Sequence, residues 1–128
     1  MFNSILDYQS ITLQFNEDNL DKMLARFLLL LYFATNIPGF ISWGMEINSS
    51  VYFSLYGLDK VAESLTKPGL YIELSHDDSA ITTAEKAYVT LSERGLVNIK
   101  MIGPTTYVTV TENGKDLSRR LLNKYRDH

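Results

Sequence analysis

The segment from Ala80 to Leu121 restricts the possible folds more than any other part of the sequence. Its first part places apolar residues three and four positions apart, as on one face of a helix, and Gly95 then supplies the left-handed backbone that commonly ends a helix. Two β-branched runs follow around the turn Gly103–Thr106, which is typical of a hairpin, and Thr111 is placed to cap a last helix. The segment predicts a helix over 80–94, a hairpin over 96–111 and a helix over 112–125.

Two motifs in this segment carry a family resemblance. The run Leu91–Val97 contains a leucine, a short gap and Gly-Leu-Val, and the run Thr111–Leu117 has the pattern Thr-x-x-Gly-x-x-Leu. With the hairpin between them, they resemble the winged-helix domains of MarR-like and PadR-like transcriptional regulators over about a third of the chain. The resemblance implies an α+β, mostly helical fold, a winged helix-turn-helix with an added N-terminal helix. The length is that of one domain, so we expect a single winged-helix domain over residues 1–128.

The outward face of the helix over 80–94 is mostly small and polar. A helix in the major groove needs such a face if its side chains are to reach base edges. The resemblance implies that this helix is the recognition helix and that the hairpin is the wing, which usually contacts phosphates or the minor groove. The candidate DNA contacts are therefore Thr82, Thr83, Lys86 and Thr90 on the helix, and Lys100, Thr105 and Thr106 on or near the wing.

A long helix is predicted upstream, over 16–35. Asn16 is its expected N-cap, and it should end near Asn36 because Pro38 follows. From Phe27 to Ala34 the sequence is apolar all round, which indicates burial on more than one side. A central core helix and a helix packed partly on a second subunit both explain this pattern.

The region between the long helix and residue 66 is predicted as a loop followed by a second helix. Residues 37–48 have no helical or strand period and are expected to form the loop. The apolar stripe from Val51 to Leu65 has spacings of three and four, so it predicts a helix capped by Ser49 or Ser50 and ending near Thr66.

The connection to the recognition helix departs from the resembled families. A turn of about four residues usually joins the two helices of this motif. Here one helix is predicted to end near Thr66, and the next begins near Ala80 with Ser79 or Thr82 as its cap. Either the stretch Leu70–Ser75 is a short helix that restores the standard motif, or it is an inserted strand that displaces one helix.

The reactive and metal-binding residue types in the sequence argue against an enzyme. The chain has no cysteine, and no second histidine joins His76-Asp77-Asp78, so that run is better explained as a solvated loop than as a metal site. The sequence also lacks a phosphate-binding loop, a dinucleotide-binding glycine pattern and a nucleophile elbow. We therefore expect no catalytic site, no metal and no cofactor.

Charge and hydropathy bear on location and partners. The formal net charge is -3, but residues 1–79 hold four Lys/Arg against ten Asp/Glu, whereas residues 80–128 hold eight against five. This asymmetry favours a basic face in the second part of the chain. The longest apolar run is eight residues, about 12 Å of helix, which is too short to cross a bilayer. The first residues lack the pattern of a secretory signal, so we expect a cytoplasmic protein with no membrane contact.

The sequence is compatible with two functions. The first is a DNA-binding transcriptional regulator that binds double-stranded DNA as a homodimer. The helix over 16–35 would contribute to the subunit contact, and a small-molecule effector would occupy an aromatic-lined pocket between it and the helix from Val51 to Leu65.

The second function is that of a winged-helix adaptor that binds another protein without binding DNA. The acidic balance, the single lysine of the wing and the irregular helix spacing support this alternative.

Overall fold

The structure is a computed structural model that describes residues 22–65 and 78–126, and over these ranges the chain is an α+β protein with a four-stranded antiparallel sheet. In chain order its elements are α1 (Lys22–Asn36), a 3-10 helix (Pro38–Trp43), β1 (Met45–Ile47), β2 (Ser50–Ser54), α2 (Leu55–Leu65), α3 (Asp78–Glu93), β3 (Val97–Ile102), β4 (Thr105–Val110) and α4 (Glu112–Arg126).

The sheet joins two distant parts of the sequence. Its strand order is β1-β2-β4-β3, and every pair is antiparallel. Strands β3 and β4 form the predicted hairpin, and β2 pairs with β4 through Phe53 opposite Val108 and Ser54 opposite Tyr107. A strand that precedes α2 therefore braces the hairpin that follows α3.

Helix α1 is the centre of the core. The apolar side chains from Leu24 to Ala34, apart from Tyr32, are at most 8% exposed, and the helix contacts α2, α3, α4, β2 and β4. A single chain thus covers this helix on all sides, which agrees with the core-helix alternative. Its end at Asn36 confirms the predicted stop, while the predicted cap at Asn16 lies outside the described residues.

The prediction of a helix from Ser49 or Ser50 was wrong in its first turns. Residues 50–54 form strand β2, and helix α2 begins only at Leu55. The backbone N–H of Gly57 donates a hydrogen bond of 3.0 Å to the Ser54 hydroxyl oxygen, so Ser54 is the cap. The residues from Val51 onward match a helical period by chance. Val51 and Tyr52 instead pair with β1, and Phe53 pairs with β4.

The predicted loop over 37–48 also contains regular structure. It holds the 3-10 helix, in which the rings of Phe40 and Trp43 stack with centroids 5.8 Å apart, and then strand β1. A Cβ at Gly44 would lie 2.5 Å from Val51 Cγ1. Only glycine therefore allows the chain to pass so closely over β2 as it enters β1.

Helix α3 begins earlier than predicted. It starts at Asp78, so Ser79 and Thr82 lie within the helix and neither is its cap. The two alternatives for Leu70–Ser75 fall on residues outside the described part of the chain.

The hairpin and the last helix agree with prediction more closely, with one difference at the turn. The turn consists of Gly103 and Pro104 alone, because Thr105 and Thr106 already pair with Ile102 and Met101. Gly103 has φ +60°, as expected for glycine at the first central position of a two-residue hairpin turn. Helix α4 extends over Glu112–Arg126, and it buries Leu117, Leu121 and Leu122.

The β1–β2 turn gives a stability prediction. Asn48 and Ser49 have φ of 51° and 70°, the left-handed region in which glycine is favoured at the second central position. Replacing Ser49 with glycine should raise the free energy of unfolding by roughly 0.5 kcal/mol, because the relief of the left-handed backbone exceeds the added entropy of the unfolded chain. Thermal unfolding should show a melting temperature about 2 °C higher. A lower melting temperature would contradict this account of the turn.

Candidate nucleic-acid interface

The inner face of α3 fixes the helix against the core. Ala84, Tyr88 and Leu91 are fully buried on this face. The Tyr88 hydroxyl donates a hydrogen bond of 3.2 Å to the Phe27 carbonyl oxygen of α1, and the two rings meet edge to face at 5.4 Å. The predicted apolar face is thus confirmed at these three positions, and the opposite face of α3 is directed away from α1.

The outer face of α3 carries side chains of mixed character. Glu85 and Lys86 are exposed, Val89 is 48% exposed and Thr90 is half-buried, and these four side chains line one shallow depression. The Thr90 hydroxyl donates a hydrogen bond of 3.0 Å to the Lys86 carbonyl oxygen, which fixes its rotamer and leaves its oxygen as an acceptor. The face therefore offers a cation, a carboxylate, a hydroxyl and an apolar contact within two turns of helix.

The remaining predicted contacts divide between the helix and the hairpin. Thr82 and Thr83 lie in α3, but their side chains are outside the described part of the structure. Lys100 is exposed on β3 and pairs with Tyr107 across the hairpin. Thr105 and Thr106 are half-buried at the start of β4, as the last pairs before the turn.

A second depression connects α3 to the hairpin. Its lining consists of Glu85 from α3, Ser54, Leu55 and Tyr56 at the junction of β2 and α2, and Pro104–Tyr107 at the end of the hairpin, and its volume is about 380 Å³. The structure thus brings Thr105 and Thr106 to the same surface as the outer face of α3. Lys100 is not among the residues that line this depression.

The junction of α3, β3 and α4 explains the Thr-x-x-Gly-x-x-Leu motif. The Thr111 hydroxyl donates a hydrogen bond of 2.7 Å to the Gly95 carbonyl oxygen and accepts one of 3.0 Å from the Gly114 N–H. The Thr111 N–H also donates to the Leu96 carbonyl oxygen at 3.1 Å. Thr111 therefore caps α4, as the sequence predicted. It also ties α4 to the end of α3 and to the base of the hairpin, which the sequence did not predict.

Charge is negative on α3 and positive on the hairpin. Helix α3 contains Asp78, Glu85 and Glu93 against Lys86, and Arg94 directly follows its end, whereas residues 96–111 contain one lysine and no carboxylate. On α4, Lys115 lies 3.5 Å from Glu112. The basic character of the second half of the chain is therefore distributed over several surfaces and is only partly present at α3 and the hairpin.

Two exposed apolar residues at the end of the hairpin were missed by the sequence interpretation. Met101 is 64% exposed and Ile102 is 42% exposed. A signal was present, because both residues directly precede the Gly-Pro turn, where neither face of a hairpin is covered by the core.

Sequence models of known families, curated proteins and solved structures contain no detectable match to this chain. Within residues 22–65 and 78–126, no three acidic or histidine side chains come together as a metal site would require. No helix in the described ranges combines the length and the apolar character needed to cross a membrane. His76 and Asp77, which were explained from the sequence as part of a solvated loop and not as a metal site, are outside these ranges.

Proposed function

We propose that this chain is a winged-helix transcriptional regulator that binds double-stranded DNA as a homodimer. The observation that carries the proposal is the shared surface of α3 and the hairpin, with Glu85 and Pro104–Tyr107 around one depression. A DNA-binding winged helix needs this arrangement, because the helix must enter the major groove while the wing reaches the adjacent backbone or minor groove.

The outer face of α3 has suitable chemistry for base edges. Lys86 can donate to guanine O6 and N7, and the methyl groups of Val89 can contact a thymine methyl. Thr90 offers a hydroxyl to either kind of edge. Thr82 and Thr83, nearer the start of α3, are proposed contacts from the sequence alone.

The hairpin supplies contacts that position the protein. Lys100 is exposed and has no carboxylate within residues 96–111, so a phosphate is its natural counterion. Thr105 and Thr106 stand at the end of the hairpin, where hydroxyls can donate to phosphate oxygens. These groups set the register of α3 in its groove without reading sequence.

The homodimer and its regulation by a small molecule are further parts of the proposal. Since one chain already buries the apolar side chains of α1 from Leu24 to Ala34, apart from Tyr32, we place the subunit contact on other surfaces. A two-fold dimer would place two α3 helices in successive major grooves, one helical turn of DNA apart. A small-molecule effector that alters this spacing is a further proposal.

Selection from random duplexes tests this function. The intact chain, incubated with a random 40-base-pair library at low salt, should enrich a sequence with two inverted half-sites separated by about 10 base pairs. The matched control is the chain with Lys86 replaced by glutamate, which should enrich nothing. No enrichment by the wild-type chain would contradict the proposal.

A protein-binding adaptor is the second candidate, and one observation favours it. Tyr56, which borders the depression shared with the hairpin, is 58% exposed, and Val89 on α3 is 48% exposed beside Glu85. Such a mixture of apolar and oppositely charged groups is typical of a protein interface. In this case Val89→Glu should abolish binding of a protein partner, while the wild-type chain binds no duplex.

A further inference from the structure

The end of the hairpin exposes two large apolar side chains at consecutive positions. Met101 and Ile102 are the last residues of β3, and the two-residue turn follows at once. They alternate in direction, so one lies on each face of the hairpin. With exposures of 64% and 42%, they form an apolar end on a hairpin whose base is anchored by Thr111 and braced by β2.

The surroundings of this apolar end indicate the chemistry of its partner. Lys100 precedes it, Thr105 and Thr106 pair with it across the hairpin, and no carboxylate occurs in residues 96–111. The Thr106 hydroxyl donates to the Met101 sulfur at 3.2 Å, which favours one orientation of that side chain. Glu85 of α3 lines the depression on the side of Pro104–Tyr107, but the strands of the hairpin carry no carboxylate of their own. An apolar wedge flanked on its own strands by a cation and hydroxyls complements a groove lined by phosphates and base acceptors.

We infer that the hairpin end is a minor-groove wedge that bends DNA, an inference that rests on the proposed DNA binding. Met101 and Ile102 enter the minor groove beside the major-groove site of α3 and partly unstack one base step. Lys100 neutralises a phosphate at the groove edge. Methionine, isoleucine and proline are side chains that open base steps in this way, and the duplex then bends toward the major groove.

The shape of the hairpin fits this role. Its two strands lie about 4.8 Å apart and are joined by only two residues, so its end is narrow. The minor groove of B-DNA is about 6 Å wide, and it must open to admit the hairpin. Opening requires a bend, which is least costly at flexible pyrimidine–purine steps such as TA and CA. The wedge therefore selects deformable steps and gives specificity without hydrogen bonds to bases.

Two fluorescence measurements on the intact chain and a selected duplex test the wedge. Energy transfer between dyes at the duplex ends reports bending, and 2-aminopurine placed at successive steps reports unstacking. The wild-type chain should shorten the end-to-end distance as a bend of about 20–90° requires, and should brighten 2-aminopurine at one step in each half-site. The double variant Met101→Ser and Ile102→Ser should still bind, more weakly, and should lose both signals.

The control variant is Ile41→Ser with Met45→Ser. These residues have similar exposure, 43% and 40%, and Met45 lies in the strand at the opposite edge of the sheet from β3. This variant should bend DNA as the wild type does. If the wild-type chain binds without bending, or the hairpin variant bends DNA fully, the wedge is refuted and DNA binding stands. If the wild-type chain binds no duplex, both proposals fail, and a protein partner lost by the hairpin variant would then identify the end as a protein contact.

Discussion

Replacing Gly114 with alanine is expected to lower the free energy of unfolding by about 3 kcal/mol, at the upper end of overpacking costs. An added Cβ would overlap the Leu96 carbonyl oxygen and lie 2.7 Å from Val110 Cγ2. The carbonyl cannot easily move, because it already accepts a hydrogen bond from the Thr111 N–H. Helix α4 would have to withdraw from the base of the hairpin, and Thr111 would lose the geometry of its cap.

Urea unfolding monitored by circular dichroism measures this effect. The matched control is Gly39→Ala in the 3-10 helix, where an added Cβ meets nothing within 4 Å. That substitution should change the free energy of unfolding by no more than about 0.5 kcal/mol. If Gly114→Ala were as mild as the control, the close packing of α4 on Leu96 would be incorrect.

Replacing Lys86 with glutamate should weaken DNA binding about 100-fold or more while leaving the fold intact. Loss of one base contact costs about 1–3 kcal/mol, and a second carboxylate beside Glu85 adds repulsion of the phosphates. Because Lys86 is exposed, the melting temperature should not change measurably. Fluorescence anisotropy with a labelled duplex measures the dissociation constant.

The control for this variant is Arg120→Glu. Arg120 is exposed on α4, lies 3.4 Å from Asp116 and belongs to a helix that packs on α1 and β4. Its reversal changes the net charge of the chain by the same amount, so it should reduce affinity far less than the reversal at Lys86. Equal affinities of Lys86→Glu and wild type would show that α3 does not enter the groove.

Local signals allowed the second half of the fold to be predicted. Thr111 as a helix cap and Gly95 with φ +74° as a helix end are determined by a few neighbouring residues. The hairpin followed from the glycine of its turn and the β-branched residues on either side. Each of these signals lies within a few residues of the feature that it determines.

Strand β2 was missed, although β1 directly precedes it, because its other partner, β4, is far away in sequence. Phe53 pairs with Val108, and the Thr109 hydroxyl donates 2.7 Å to the Val51 carbonyl oxygen. Neither contact has a signal within a short window, whereas the spacing of Val51, Leu55 and Leu58 matched a helix. The tertiary pairing overrides that local pattern.

The candidate site, like the fold, could be predicted from the sequence only in part. The sequence predicted which residues of α3 and the hairpin face outward, and Lys86 and Lys100 are indeed exposed. It did not predict that Glu85 and the end of the hairpin line one depression, because that depends on how the sheet packs beside α3. Nor did it predict the exposure of Met101 and Ile102, since a β-branched or apolar run ordinarily indicates a buried strand.

The salt dependence of duplex binding by the wild-type chain tests the central claim most directly. Lys100 of each of the two subunits neutralises a phosphate, so the dimer would release about two counterions. The logarithm of the association constant should therefore fall linearly with the logarithm of salt concentration, with a slope of roughly -1.8 or steeper. Absence of binding at about 50 mM salt, or an affinity that does not change between about 50 and 200 mM, would contradict DNA recognition by α3 and the hairpin.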